Sequence, residues 1–389
     1  MKRGECMGSK VVIKLSLLVL TILVLQLPAL ARAEKLTVMT RNLYLGADLS
    51  PIVAATSPEE FLAATQVALG TVAANNFPAR AEALAAEIAE KKPHLVGLQE
   101  VFNYTLNGWN LQPPFRNYLD DLMAALEAEG VSYRLAAEVV NMNISFPVDG
   151  WGELGVMDRD VILAREDVET EVVDLTGLCR QSLDEAGIQY GDGCNYQTVI
   201  VIDNPLEPDP SQTIAFALGF VAVDTKYGRF FNTHLEVQYP DPANLFSSIY
   251  QSAQAYELLG VIEYLNVIDP STGLDPNGPL KPVIVVGDFN SSPDHPNING
   301  TFGTPYQQFE NEGYLDTWSL RPGKPEGYTC CYDEYLGVPA ELYERIDMIF
   351  TDTLPDKVKA NVVGNENKDS RPSGLYPSDH AGVVSTMEF

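Results

Sequence analysis

Val283-Ile284-Val285-Val286-Gly287-Asp288-Phe289-Asn290 is the stretch on which the reading of this chain turns. Four aliphatic residues in a row, after Pro282 and before Gly287, read as a short, fully apolar strand buried in a sheet. The strand then ends in an acid and an amide two residues apart, so Asp288 and Asn290 leave it pointing to the same side. Apolar strands that end in acid, amide or imidazole groups turn a sheet edge into a site.

Five more such clusters lie outward in both directions: Thr40-Arg41-Asn42, Gln99-Glu100, Asn232-Thr233-His234, Arg345-Ile346-Asp347 and Ser378-Asp379-His380. Strand-like runs precede or contain them at Leu36 to Tyr44, His94 to Leu98, Arg229 to Asn232, before Asp352, and at Gly382 to Met387. Others read at Tyr133 to Val140, Val161 to Ala164, Val168 to Val173, Thr198 to Ile202 and Phe216 to Val223. Pro78 opens a helix over Ala79 to Lys92 with Leu84 and Ile88 on one face. Arg116 to Glu129 forms a second, stopped by Gly130, and Phe246 to Leu265 a third. Strands outnumber helices too far for a simple βαβ repeat. The expected fold is α/β, a four-layer sandwich of two packed mixed β-sheets flanked by helices. The clusters span nearly the whole chain, so residues 34–389 read as one domain, with surface insertions at Asp203 to Gln212 and Asp269 to Pro279.

Residues 1–33 are expected to be a secretory signal peptide: a basic start, an apolar run from Leu15 to Leu27, Pro28, and Ala31-Arg32-Ala33 for cleavage. The run falls short of the ~20 residues a bilayer span needs. The protein is therefore expected to be secreted or periplasmic. Without those residues the chain keeps 20 basic against 52 acidic side chains, a net charge of −32. Such a charge repels polyanions and opposes nonspecific nucleic-acid binding, which needs basic phosphate contacts. Four cysteines remain in a setting where disulfides persist. Cys179 and Cys194 are expected to pair; the sequence leaves Cys330 and Cys331 open.

Individual residues point to cation binding and proton transfer. A carboxylate leaving a buried strand suits a hard cation, which makes Glu100 a candidate ligand, with Asn42 offering a neutral oxygen beside it. The bland alternatives are a helix cap or a surface charge. A phosphoester needs a group that moves a proton near neutral pH, and histidine does this unperturbed. His380 directly after Asp379, with Asp347 on an upstream strand, suits that role better than a lone structural histidine. His295, after Asp294 in the loop beyond the decisive strand, is a weaker candidate for a substrate or metal contact.

The six clusters, in this order, resemble those of the endonuclease/exonuclease/phosphatase superfamily. It includes pancreatic-type deoxyribonucleases, abasic-site endonucleases, inositol-phosphate 5-phosphatases and neutral sphingomyelinases. The resemblance implies a Mg²⁺ ion (Mn²⁺ or Ca²⁺ as alternatives) held by Asn42 and Glu100, with Asp379 as a further ligand. It implies that Asp288 orients the attacking water, Asn290 binds a phosphate oxygen and His234 contacts the phosphate. Asp347 and His380 would form the acid–base pair. One stretch departs from the pattern: in Gly152 to Asp160, Asp160 stands where an asparagine or small residue is common.

A small or lipid-headgroup phosphodiester, hydrolysed in a sphingomyelinase-like way by a monomer that could meet a membrane lipid, is the expected function. An exported endonuclease is the alternative, disfavoured by charge. A non-catalytic binding module on the same fold is the third, opposed by retention of every site residue.

Overall fold

Among the described residues, twenty-three elements follow one another along the chain. They are β1 (Lys35–Asn42), α1 (Ser50–Val53), α2 (Pro58–Ala74), α3 (Phe77–Lys91), β2 (Leu95–Gln99), β3 (Asn103–Leu106), β4 (Trp109–Asn110), α4 (Tyr118–Ala128), β5 (Tyr133–Val148), β6 (Gly152–Arg165), β7 (Glu171–Val172) and β8 (Cys194–Asn195). Then come β9 (Ile200–Asp203), β10 (Thr213–Phe216), β11 (Gly219–Thr225), β12 (Gly228–His234), α5 (Phe246–Val267), β13 (Val283–Asp288), α6 (Pro305–Asn311), β14 (Leu315–Asp316), β15 (Asp347–Thr351), β16 (Lys357–Val363) and β17 (Gly382–Glu388). The computed structural model describes residues 35–389 except 112–114, 116, 149, 151, 181–190, 208, 210–211, 239–245, 268–280, 299–302, 324–325, 338–340 and 371–372. The expected signal peptide and the whole of the second expected insertion lie outside the described residues.

Two mixed sheets hold the strands. The first runs β16-β17-β1-β2-β6-β3-β4, with β5 beside β6; the second runs β14-β15-β13-β12-β11-β7, with β8 beside β11. A third, two-stranded sheet joins β9 to β10. Facing sides of the large sheets share one core, in which Val38, Leu95 and Ile162 meet Val221, Phe230, Ile284 and Val286. The outer face of the first sheet packs under α2, α3 and α4 through Leu69, Val72, Leu84, Ile88 and Leu122. The outer face of the second packs under α5 and α6 through Leu258, Ile262 and Phe309. This gives helices, sheet, sheet, helices, the four-layer order expected. The decisive strand is central: Val283 to Val286 are each 3% exposed or less, and each side chain so buried stabilises by roughly 1.5–3 kcal/mol.

Local chemistry explains the ends. Asn76 and Lys92 bracket α3 in the left-handed region (φ 41° and 48°), and Gly130 does the same after α4 at φ 72°. The structure differs from the reading in several places, of which three bear on the site and its surroundings. β5 and β6 form one hairpin running to Val148 and back from Gly152, far beyond the expected Tyr133 to Val140 and Val161 to Ala164. Bulges at Leu135/Ala137 and Val140/Met142 break the two-residue alternation on which that reading relied. The helix α2 was not read at all, although Ser57 accepts a hydrogen bond from the Glu60 N–H (3.2 Å) as its N-cap and Pro58 occupies its first turn. The edge strand β16 was also missed. Cys179 and Cys194 form the expected disulfide, with Cα atoms 5.7 Å apart. Among the described residues no helix is long and apolar enough to cross a membrane.

Candidate active site

Sheet register sets one row of the site. β12 runs parallel to β13 with His234 opposite Asp288, and β13 runs antiparallel to β15 with Asp288 opposite Asp347. Three adjacent strands thus place an imidazole and two carboxylates side by side. Gly287 makes the approach possible, because a Cβ there would lie 2.0 Å from the Thr233 carbonyl oxygen. The first sheet supplies the facing groups: Asn42 ends β1, Glu100 leaves β2, and Asp158 and Asp160 share one face of β6.

Directly beneath, a polar seam joins the two sheets. Gln99 Nε2 donates to Asn232 Oδ1 (2.6 Å), and Asn232 Nδ2 donates to the carbonyls of Leu98 and Val161 (2.9 and 3.0 Å). Gln99 and Asn232 belong to the clusters read as chemical, but their amides are spent holding the sheets in register. Arg41 and Arg345 are likewise internal. Arg41 pairs with Glu87 (3.1 Å) and donates to the His380 carbonyl, while Arg345 pairs with Asp316 (2.7 Å). Arg80, missed in the sequence, is 1% exposed and donates to the carbonyls of Leu43, Tyr44, Asn75 and Pro377. It thereby fixes the chain on both sides of the site. Only its place in the folded chain reveals this, because an arginine in an amphipathic helix carries no such signal.

A cleft of about 480 Å³ opens over this row, lined by Glu100, His234, Asp288, Asn290, Asp379 and His380 among others. Asp347 and Asn42 stand behind it. His380 Nδ1 lies 2.9 Å from Asp347 Oδ2 and 3.7 Å from Asp288 Oδ2. Burial alone would lower the His380 pKa, but Asp347, Asp288 and Asp379 hold it well above the ordinary value. The Asp288 carboxylate accepts from the Asn290 N–H on Oδ1 (2.9 Å) and from Asn42 Nδ2 on the other oxygen (3.0 Å). Asn290, at φ 46°, turns its amide onto the Leu235 carbonyl (2.9 Å), with His234 Nε2 3.4 Å away.

His234 sits between acids, with Nε2 3.7 Å from Asp288 and Nδ1 3.9 Å from Asp160. Burial works against its charge, yet Asp288, Asp160, Glu100 and Asp158 raise its pKa to about 9. The doubtful position is therefore filled: Asp160 is wholly buried and backs His234. Its own pKa is raised, chiefly by burial. Asn141 Nδ2 bridges Asp158 and Asp160 (3.1 and 2.9 Å); of the two acids only Asp160 was singled out in the sequence, as a departure from the family pattern.

The acids around the cleft suit a divalent cation. Asp379 is raised to about 6 by burial, relieved by His380 and reinforced by Glu100. A carboxylate pushed up by burial and by a second acid across the cleft belongs to a hard-oxygen donor set that suits a cation. Asp158, Asp160 and Asp347 each also keep one buried oxygen with no hydrogen-bond partner. Glu100 holds its place by accepting from the Leu45 N–H (2.7 Å) and from Asn42 Nδ2 (2.9 Å). Asn42 differs from its expected use, since its oxygen accepts from the Tyr44 N–H (2.8 Å) and its amide nitrogen faces the carboxylates. It aligns Glu100 with Asp288. Among the described residues, ligand atoms of Asp288, Asp347 and His380 lie within 4.8 Å of one another.

His295 is not in the cleft lining: it accepts from the Ser292 N–H (3.2 Å) and pairs with Glu344, a structural arrangement. The sulfur atoms of Cys330 and Cys331 are placed together at the cleft wall beside His380.

The profile of the Endonuclease/Exonuclease/phosphatase family matches residues 67–380. No curated protein matches the chain. Solved structures of similar fold include an endonuclease/exonuclease/phosphatase family protein from Leptotrichia buccalis, 16% identical with a TM-score of 0.47, over 91% of this chain and 100% of that one. A mannosyl-6-phosphatase from Bacteroides thetaiotaomicron is 15% identical with a TM-score of 0.45, over 91% and 100%. Caenorhabditis elegans TDP2, truncated, is 14% identical with a TM-score of 0.44, over 91% and 98%.

Proposed function

The chain belongs to the endonuclease/exonuclease/phosphatase family, whose enzymes are metal-dependent phosphoesterases, and from that premise we propose an exported Mg²⁺-dependent phosphodiesterase acting on a small or lipid-headgroup substrate. One observation carries the substrate class. Among the described residues the cleft is lined by seven carboxylates and two histidines, and by no lysine or arginine. A duplex needs basic side chains along its phosphates. A single phosphodiester needs only a cation and a few donors.

Glu100 and Asp379 would hold the ion, with Asn42 fixing Glu100 from behind. When bound, the metal supplies a positive charge against the phosphoryl oxygens. The remaining work falls to side chains already in place. Asp288, gripped on both oxygens, orients the attacking water. His380, with Nδ1 committed to Asp347, has Nε2 left to move a proton to or from the reacting oxygens. His234 and Asn290 donate to the phosphoryl oxygens as charge builds on them. Hard oxygen donors favour Mg²⁺ over softer ions. The basic and apolar N-terminus supports export, and a monomer suffices because every group comes from one chain.

The test compares kcat/KM for sphingomyelin, a short chromogenic diester and duplex DNA under matched Mg²⁺, with chelator controls. Chelator should abolish turnover, Mg²⁺ should restore it, and the small diesters should be preferred. Efficient DNA cleavage without turnover of the other two would replace this reading with the exported nuclease.

A further inference from the structure

Beside the catalytic cleft lies a second, smaller cavity of about 60 Å³ between α2 and the β5–β6 hairpin. Its walls share Leu45, Leu49, Phe102, Met142 and Phe216 with the cleft, so the two adjoin. The junction is close to the chemistry: the Leu45 N–H donates to Glu100 Oε2 at 2.7 Å, and Phe102 follows Glu100 by two residues.

The cavity is apolar throughout. Only Thr65 and Tyr104 bring polar atoms, and both are engaged, Thr65 with the Phe61 carbonyl (2.8 Å) and Tyr104 with the Leu45 carbonyl (3.3 Å). Water entering it would find no free partner, and such a space stays dry or takes an apolar group. Protein interiors are packed to crystal density, yet Leu49, Ile52, Ile144, Val156 and Phe216 remain only partly buried around it.

We infer that this side cavity is an alkyl-chain subsite, which takes the methylenes next to the phosphate of a lipid-like phosphoester held in the cleft. The inference rests on the phosphodiesterase reading and narrows it. The acidic cleft accepts a phosphate only together with a cation, and the side cavity accepts only hydrocarbon. A substrate that fills both carries a phosphate and an aliphatic chain on neighbouring atoms. At ~10–15 Å³ per water-sized group, the cavity takes about four to six methylenes.

Two readouts test it. The first is kcat/KM for p-nitrophenyl alkyl phosphodiesters from methyl to octyl, with Mg²⁺. The second is calorimetric affinity for n-alkylphosphonates of the same lengths, which needs no turnover. Each added methylene should improve both by about three- to fourfold, from ~0.8 kcal/mol per buried CH₂, until a plateau near six carbons. Ala68→Phe fills the cavity from α2, and Ile214→Phe fills it from β10. Neither side chain lines the catalytic cleft. Each variant should flatten the ladder while turning over the methyl diester within about twofold of wild type, and that turnover also reports folding.

A flat ladder in wild-type protein in both readouts overturns the inference, as does a ladder that survives in both filled variants. A ladder in binding with no turnover of any diester leaves the subsite standing and removes the catalytic reading instead.

Discussion

The two histidines of the site stand on opposite terms with their acids. His380 is locked, with Nδ1 at 2.9 Å from Asp347 and the backbone held by Arg41 and Ser378. His234 is loose: its nearest carboxylates lie 3.7 and 3.9 Å away, and its Nδ1 has no hydrogen-bond partner. Both are buried and both are raised by the acids around them. The difference separates two ways of making a cation in a protein interior. One is a directed bond that also fixes the tautomer. The other is a surrounding field that raises the pKa without choosing which nitrogen acts. A group that moves a proton needs the first, and a donor to a phosphate oxygen manages with the second.

The largest expected effect tests the locked pair. His380→Ala and Asp347→Asn should each lower kcat by on the order of 10³-fold or more. The double variant should be scarcely worse than His380→Ala alone, because the carboxylate acts through the ring. Simple addition of the two losses, measured as a double-mutant cycle on kcat/KM, would show that the 2.9 Å contact is not a working unit.

A smaller effect tests the loose one. Asp160→Asn should cost about 10- to 100-fold, the range for partners that orient a functional side chain from behind. The pKa of His234, held near 9 against burial by Asp288, Asp160, Glu100 and Asp158, should fall towards the ordinary histidine value. An NMR titration of the histidine ring reads this directly. An unchanged value would assign the whole effect to the other acids and make the two histidines more alike than the distances suggest.

The same contrast shows what the sequence could reveal. His380 and Asp347 were legible because each ends or begins an apolar strand within a short polar cluster. Glu100, His234, Asp288 and Asn290 were visible for the same reason, and the layered fold followed from the strands that carry them. Asp158 was not, and Asp160 stood out only as a departure from the family pattern, because both lie within a strand whose bulged partner hid its length. Gln99 and Asn232 stand in the same polar clusters without a role read for them, and their amides join the two sheets beneath the cleft. The helix α2 went unread although Ser57-Pro58-Glu59-Glu60 is a sound helix start. Its Ala, Thr and Gly content gives a weak apolar stripe, and its place over the side cavity is set by tertiary packing.

The smallest expected effect concerns Glu236, two residues beyond His234. Burial raises its pKa to about 7, partly offset by the Val237 N–H and by His234. A carboxyl raised in the folded state ionises first in the unfolded chain. Its contribution to stability is therefore full below about pH 4.5, the unfolded value, and lost as pH rises to about 7. The span corresponds to at most about 3 kcal/mol, or a few degrees in Tm for a chain of this size. Glu236→Gln removes the ionisation and keeps an oxygen for the Val237 N–H. Relative to wild type, it should gain stability steadily between pH 4.5 and 7, while His380, held by its own acids, keeps its pKa. A wild-type-to-variant difference in Tm that stays constant across this range would mean that Glu236 is already ionised in the folded protein. His234 would then face one more full negative charge, and its weak hold would have to be reassigned from Asp160 to Glu236.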